Sequence, residues 1–282
     1  MPMHMISAQQ QEVIYLFIDG GYFKKTCIEK VQKWVENEPL TTFSPIDLID
    51  FTAVKNSFQA KKVFYYDCLD EVPSSSKDDT HDNDRIAKQK HSFNQINSLE
   101  GFHVRLGSLS SSGKRKRQKE VDVLLTVDMM KHAHRGNMAR AILLSGDRDF
   151  KPLVNALVEM GSYVGVASEV SSTANELIWA ADFQRKLTFS DYYSWLTQSL
   201  QSKYPLPQAT ANDVRPSEAN LIKTGQVEGH LVELFQIGNE FCLYLDKYLD
   251  NLSLKLTFTD SDKLELYFFL QCGHRIQWTT PA

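Results

Sequence analysis

Short apolar runs that stop at an acid or a glycine recur along this chain, with helix-length segments between them. VIYLFI, residues 13–18, stops at Asp19, Gly20 and Gly21, and KKVFYYD stops at Asp67. FHVRLG spans 102–107, RAILLSG runs up to Asp147, and SYVGVAS follows at 162–168. Apolar runs of this length suit strands buried on both faces. Alternation of such strands with helices dictates a parallel sheet, because each parallel return needs a crossover segment. The expected fold is α/β: a Rossmann-like three-layer α/β/α arrangement around a central, mainly parallel sheet.

The helices between these strands are expected at Tyr22–Asn37, from Pro45 (capped by Ser44) to Phe58, at Asp82–Leu99, Glu120–Arg135 and Asp149–Met160, and over TANELIWAAD. The Glu120–Arg135 segment is apolar on several faces and is expected to be buried. RKLTFS is a candidate short sixth strand. LDEVPSSSKDDTH, residues 69–81, and SLSSSGKRKRQK, residues 108–119, read as loops, the second strongly basic. The strand–helix alternation stops near Leu200, which sets a first domain at 1–200. Residues 201–220 carry three prolines and read as a linker. Residues 221–282 would form a small C-terminal α+β module. In it KLTFTDSDKLELYFF suggests two strands joined by an Asp-Ser-Asp turn, while EFCLYLDKYLDNLSL fits a helix or a strand equally.

A formal net charge of −4 supplies no global attraction for a polyanion, so any such partner must be held by a local patch or through a metal. Cys27, Cys68, Cys242 and Cys272 show no CxxC spacing, which argues against a zinc or redox motif. The opening MPMHMISAQQQEV lacks the apolar core of a signal peptide, and no apolar run is long enough to span a bilayer. A cytoplasmic protein without a membrane partner is the expectation.

In a parallel sheet, residues that end strands or open the following helices line the carboxyl edge. Asp19 ends strand one, Asp147 and Asp149 follow strand four, and Asp122 opens the helix after strand three and the basic loop. Two carboxylates about 4 Å apart repel by roughly 4 kcal/mol at an effective dielectric of ~20. Such a group either stays partly protonated or binds a cation, and oxygen ligands suit Mg²⁺ or Mn²⁺. Each acid also has a plainer role. Taken alone, Asp149 reads sooner as an N-cap, Asp19 as a strand-end turn residue and Asp122 as first-turn charge. Asp128 lies six residues beyond Asp122, about 120° around the helix and ~9 Å further along, so it cannot share a first coordination shell with it. Asp128, Asp67 and Ser145 are therefore read as supporting residues, with a turn role equally open for Asp67. His132 and His134, two apart on a helix, make a poor metal pair.

The ordered set FIDGGYF, YYD, VRLG, VDVLLTVDM and LLSGDRDFKPLV resembles the NYN domain, also described as LabA-like, of the PIN-like nuclease superfamily. The resemblance covers roughly residues 13–190. It implies a Mg²⁺- or Mn²⁺-dependent endoribonuclease, with Asp19, Asp122, Asp147 and Asp149 as metal-holding and catalytic residues. Glu120 departs from the glycine usual in the family at that position. Residues 201–282 lie outside the resemblance.

The expected partner is RNA, single-stranded or structured. A basic run is most often a solvated loop, but Lys114, Arg115, Lys116, Arg117 and Lys119 sit immediately before Asp122, so they are candidates for backbone contact. Lys24 is a further phosphate candidate, and Tyr22 either stacks on a base or packs into the core. The alternative function is an RNA-binding or regulatory module that does not cleave. Asp147-Arg148-Asp149 also matches the DxD of nucleotide-sugar transferases, a tripeptide common by chance. Self-association or a protein partner through the C-terminal module is left open.

Overall fold

The computed structural model describes residues 13–69, 79–107, 114–169, 173–211, 214–217, 220–249 and 252–279. The chain divides into two compact units, residues 1–29 with 41–187, and residues 30–40 with 188–282.

The first unit is built in the order β1 (Ile14–Asp19), α1 (Gly20–Val31, whose last two residues belong to the second unit), α2 (Pro45–Leu48), α3 (Phe51–Ser57), β2 (Lys62–Asp67), α4 (Asp79–Ser98), β3 (Phe102–Leu106), α5 (Lys114–His134), β4 (Arg140–Leu144), α6 (Lys151–Glu159), β5 (Tyr163–Glu169), α7 (Asn175–Ile178) and β6 (Phe183–Leu187). The six strands form one sheet in the order β3-β2-β1-β4-β5-β6, and every pairing is parallel. Successive side chains alternate between the two faces. Tyr15 and Phe17 of β1 join Phe64, Leu125, Met129, Leu143, Phe150 and Leu177 in a core under α5, α6 and α7. On the opposite face the rings of Phe23, Phe51, Tyr65 and Phe93 pack edge-on or tilted, covered by α1, α3 and α4. The expected three-layer α/β architecture is therefore what the chain forms.

The connections run outward from β1 to β3, then return across it to β4. The order reverses between β1 and β4, the point where open α/β sheets bind ligands beyond their carboxyl ends. Gly20 lets α1 start there at close quarters: a Cβ would lie 2.6 Å from the Tyr66 carbonyl oxygen.

Three details of this unit depart from expectation. The helix expected from Pro45 to Phe58 is two helices, because Asp50 restarts the chain by accepting from the Thr52 and Ala53 amides at 2.9 and 3.1 Å. α5 begins at Lys114, so residues 114–119 of the expected basic loop are helical. Lys, Arg, Gln and Glu are all good helix formers, and nothing separates them from the apolar stretch that follows. α5 is also less buried than expected, with Val123 61% and Val127 41% exposed. The expected loop at 69–81 falls largely outside the described residues.

The second unit is antiparallel. It comprises α8 (Phe189–Ser194), α9 (Gln198–Lys203), β7 (Gln208–Ala211), β8 (Leu221–Val227), β9 (His230–Ile237), β10 (Glu240–Leu249), β11 (Leu252–Phe258), α10 (Ser261–Cys272) and β12 (Gln277–Trp278). Its sheet order is β12-β8-β9-β10-β11-β7. Part of the segment expected as a linker is thus a strand, since Gln208–Ala211 pairs with β11. The ambiguous stretch from Glu240 is β10. KLTFTDSDKLELYFF is a strand followed by a helix rather than two strands. Asp260 caps α10 by accepting from the Asp262 and Lys263 amides, which makes the Asp-Ser-Asp sequence a helix start. Trp34, supplied by the 30–40 segment, is buried among Phe189, Phe258 and Tyr267, and its indole N–H donates to the Tyr204 carbonyl at 3.0 Å.

Among the described residues, no helix is long and apolar enough to cross a membrane.

Candidate functional site

The end of β1 carries the most constrained acid. Asp19 Oδ1 accepts from the Tyr22 amide at 3.1 Å, and its Oδ2 accepts from the Ser145 hydroxyl at 3.0 Å. Ser145 follows β4 and in turn accepts from the Asp147 amide at 3.2 Å. One hydroxyl thus ties the end of β1 to the loop after β4. Burial raises the Asp19 pKa and the charge of Asp147 adds to the rise, while the Tyr22, Ser145 and Gly21 hydrogen bonds oppose it.

Asp147 caps the one-turn 3₁₀ helix Arg148–Phe150 by accepting from the Asp149 amide at 2.9 Å. The capping role weighed for Asp149 therefore falls to Asp147, while α6 starts at Lys151 with proline in its first turn. Asp122 is pushed up to about 7, first by burial and then by the charges of Asp19, Asp147 and Asp149. The four acids are therefore electrostatic neighbours. Asp122 does not open its helix as expected, since α5 starts eight residues earlier. It is beyond the first turn, where a helix N-terminus would favour its charge.

Asp67, at the end of β2, adjoins this group. Its carboxylate accepts from the Cys68 amide at 2.7 Å and from the Tyr65 hydroxyl at 2.9 Å. Burial pushes it up to about 6, Asp19 adds to the rise, and Lys24 opposes it. Asp128 is held apart from the rim. It accepts from the Tyr66 hydroxyl at 3.3 Å and pairs with Arg105 at 3.3 Å and Lys131 at 3.7 Å.

Tyr22 braces the rim. Its ring lies so close to Gly146 that a Cβ there would sit 2.7 Å from it, and its hydroxyl accepts from the Glu169 amide at 3.0 Å. These contacts account for its side chain by packing. Lys24 lines a cavity of about 1030 Å³ between α1, α2 and α4, which reaches Asp67 and also takes in Lys25, Arg85, Lys88 and His91. The three α4 residues were not singled out from the sequence. Positions 85, 88, 92 and 95 have the three- and four-residue spacing of one helix face, and only the cavity shows that this face is used. The side chains of Lys114, Arg115, Lys116, Arg117 and Lys119 lie outside the described residues.

Among the described residues, no three His, Cys, Asp or Glu side chains converge into a ready-made metal cage. Mg²⁺ does not require one, because it keeps several waters and binds through one or two carboxylates plus substrate phosphates. A carboxyl raised to about 7, first by burial and then by the charges of three other acids, sits in a locally negative setting. The donor set is all oxygen. Asp19, Asp122, Asp147 and Asp149 therefore fit a hard divalent cation.

No curated protein matches the chain. Among solved structures, a Vibrio parahaemolyticus protein of unknown function is similar at 18% identity and a TM-score of 0.44, covering 68% of this chain and 100% of its own. The family model of the NYN domain matches residues 14–187, the span from the first residue of β1 to the last residue of β6. The chain belongs to the NYN domain family.

Proposed function

We propose that the first unit is a divalent-metal-dependent endoribonuclease that hydrolyses RNA phosphodiester bonds. The observation that carries this reading is the gathering of Asp19, Asp147 and Asp149 near Asp122 at the switch point of the sheet, where burial and then those three charges raise the Asp122 pKa. NYN domains are generally ribonuclease-like, which favours RNA over DNA as the substrate. The chain acts in the cytoplasm on this reading, which accords with four free cysteines.

Mg²⁺ or Mn²⁺, when bound, would lower the pKa of a water and neutralise charge at the scissile phosphate. Asp19, Asp122 and Asp147 would hold the ion, with Asp149 as a further ligand or orienting the water. The Ser145 hydroxyl fixes the rotation of the Asp19 carboxylate through Oδ2, leaving Oδ1 bound to the Tyr22 amide. Asp67, pushed up to about 6 beside Asp19, can take or return a proton near neutral pH. Lys24, Lys25, Arg85 and Lys88 line a groove that leads to Asp67, and they supply positive charge for the RNA backbone on a chain whose net charge is −4. Water attack leaves a 5′-phosphate and a 3′-hydroxyl.

The second reading, an RNA-binding module that does not cleave, draws on the lack of a preformed three-ligand cage among the described residues. The separating experiment follows cleavage of an end-labelled single-stranded RNA with and without Mn²⁺, in the wild type and in Asp122→Asn and Asp147→Asn. The nuclease reading expects Mn²⁺-dependent cleavage that both variants lose. Binding without cleavage in the wild type establishes the second reading instead.

A further inference from the structure

A second charged site lies on the flank of the same unit, under the edge of the sheet. A cavity of about 300 Å³ opens between β2, β3 and α5, lined by Lys62, His103, Arg105, Lys131, His132 and Arg135 around the single acid Asp128. Two periodicities build it. His103 and Arg105 are two apart on edge strand β3, so they share a face. Positions 128, 131, 132 and 135 follow the three- and four-residue steps of one helix face. β2 adds Lys62 at its start and Phe64 as part of the wall. The Phe64 ring stacks on His103 with centroids 4.9 Å apart and tilts against His132 at 4.8 Å.

The charge does not balance. Four permanent cations face one carboxylate. Among the described residues the ion pairs of this cleft are those of Asp128 with Arg105 and Lys131. The negative end of α5 would by itself favour Lys131 and Arg135 near the helix C-terminus. It does not account for Lys62 and Arg105, which come from strands. Nor does overall composition, because the chain is acidic. His103 reports the excess: its pKa is lowered by burial and then by Lys62, Arg105 and His132.

We propose that this cleft is an anion site for a phosphate dianion, free or carried as a monoester on a small organic group. Two guanidinium forks, two ammonium groups, the His103 imidazole and Nε2 of His132, whose Nδ1 is held by Asn137 Oδ1 at 3.1 Å, match a compact dianion with several acceptor oxygens. The volume, about 300 Å³, lies at the lower end of small-ligand pockets and leaves room for a phosphate with a small organic group attached. Asp128 aligns Arg105 and Lys131 without cancelling the cleft's charge. The site is distinct from the acidic rim. Along α5, Asp128 is about 9 Å and Lys131 about 14 Å from Asp122. It therefore stands whether or not the rim cleaves RNA.

The test uses the full chain with EDTA present, so that no divalent ion can recruit phosphate to the rim. Inorganic phosphate is titrated at pH 7.5 and constant ionic strength, with chloride as the balancing salt. The imidazole carbon–proton signals of His103 and His132 are followed by NMR. The expected result is a saturable shift of both rings and a rise in the His103 pKa. Arg135→Ala and Lys62→Gln should each weaken the isotherm about tenfold, the loss of one charged hydrogen bond. Their circular dichroism and RNA cleavage should stay unchanged, which excludes unfolding as the cause. Adenosine 5′-monophosphate, run in parallel, separates sources: equal affinity means that the phosphate alone is read, and tighter binding means that the attached group is read as well. Shifts that grow linearly with phosphate without saturating, or isotherms insensitive to both substitutions, overturn the proposal.

Discussion

Two acids six residues apart on α5 live in opposite electrostatic worlds. Asp122 is pushed up to about 7, first by burial and then by the charges of Asp19, Asp147 and Asp149. Asp128 faces Arg105, Lys131 and the Tyr66 hydroxyl. The helix is common to both, so the difference comes from the strands beneath. Asp122 lies near the carboxylates of Asp19, Asp147 and Asp149, which come from the end of β1 and the loop after β4. Asp128 lies over β2 and edge strand β3, where the chain supplies cations. A satisfied acid contributes to folding. An acid left among its own kind marks a place where the protein waits for something positive.

The contrast breaks most sharply under substitution. Asp122→Asn and Asp147→Asn should each lower RNA cleavage by at least about 100-fold, as expected for lost stabilisation of charge at a hydrolytic centre. Asp128→Asn should leave it within about threefold, an allowance for small shifts at a distance. Both are read from single-turnover rates. Equal losses at the two positions would erase the distinction between rim and flank.

Divalent ions should separate the regions next. A ligand bound only by the folded state at about 100 times its Kd stabilises by roughly 2.7 kcal/mol. Millimolar Mg²⁺ or Mn²⁺ should therefore raise the melting temperature of the wild type and of Asp128→Asn, and should not raise that of Asp122→Asn. Differential scanning calorimetry with EDTA-treated controls checks this.

Removal of the satisfied acid should cost stability instead. Asp128→Ala leaves the Tyr66 hydroxyl without its acceptor and two cations without their counter-charge, a loss of about 1–3 kcal/mol. Urea unfolding measures it, and a midpoint unchanged from wild type would make the pairing energetically idle.

The smallest expected effect is a pH dependence with a definite sign. The Asp122 pKa is about 7 folded and ~3.9 unfolded, so the folded state holds its proton longer. Its contribution to stability is full below about pH 4 and is lost as pH rises through about 7. Without metal, Asp122→Asn should escape that loss and exceed the wild type at pH 8. The gain is about 1 kcal/mol once solvent screening of a half-exposed group is allowed for, and it should vanish at pH 4. Urea midpoints at the two pH values give the sign directly.

Much of this was legible before any coordinates. The apolar runs of the first unit stop where strands must stop, and Asp19, Asp67 and Asp147 fall at or just beyond those ends. A parallel sheet then gathers them without further information. What stayed hidden depended on side chains that face a partner no local pattern reveals. Nothing in the sequence sets Arg85 and Lys88 apart on α4 until the helix is seen to border a groove. The basic residues 114–119 read as a loop because glycine and serines precede them, yet they propagate α5. Asp-Ser-Asp at 260–262 suits a turn and a helix cap equally, and only the packing of Leu264 and Phe268 into the second unit chooses the cap. Ser145 reads as a supporting residue from the sequence, but its partner does not show there. Its importance comes from a hydrogen bond to a residue 126 positions away.

Site-resolved titration of the Asp122 carboxyl carbon by NMR, with and without Mg²⁺, tests the central claim most directly. An apparent pKa near 7 in EDTA that drops by several units on adding Mg²⁺ is the predicted result. A carboxyl that titrates near its ordinary value of ~3.9 in both conditions would contradict the account, because the rim would then hold no excess of negative charge for an ion to relieve.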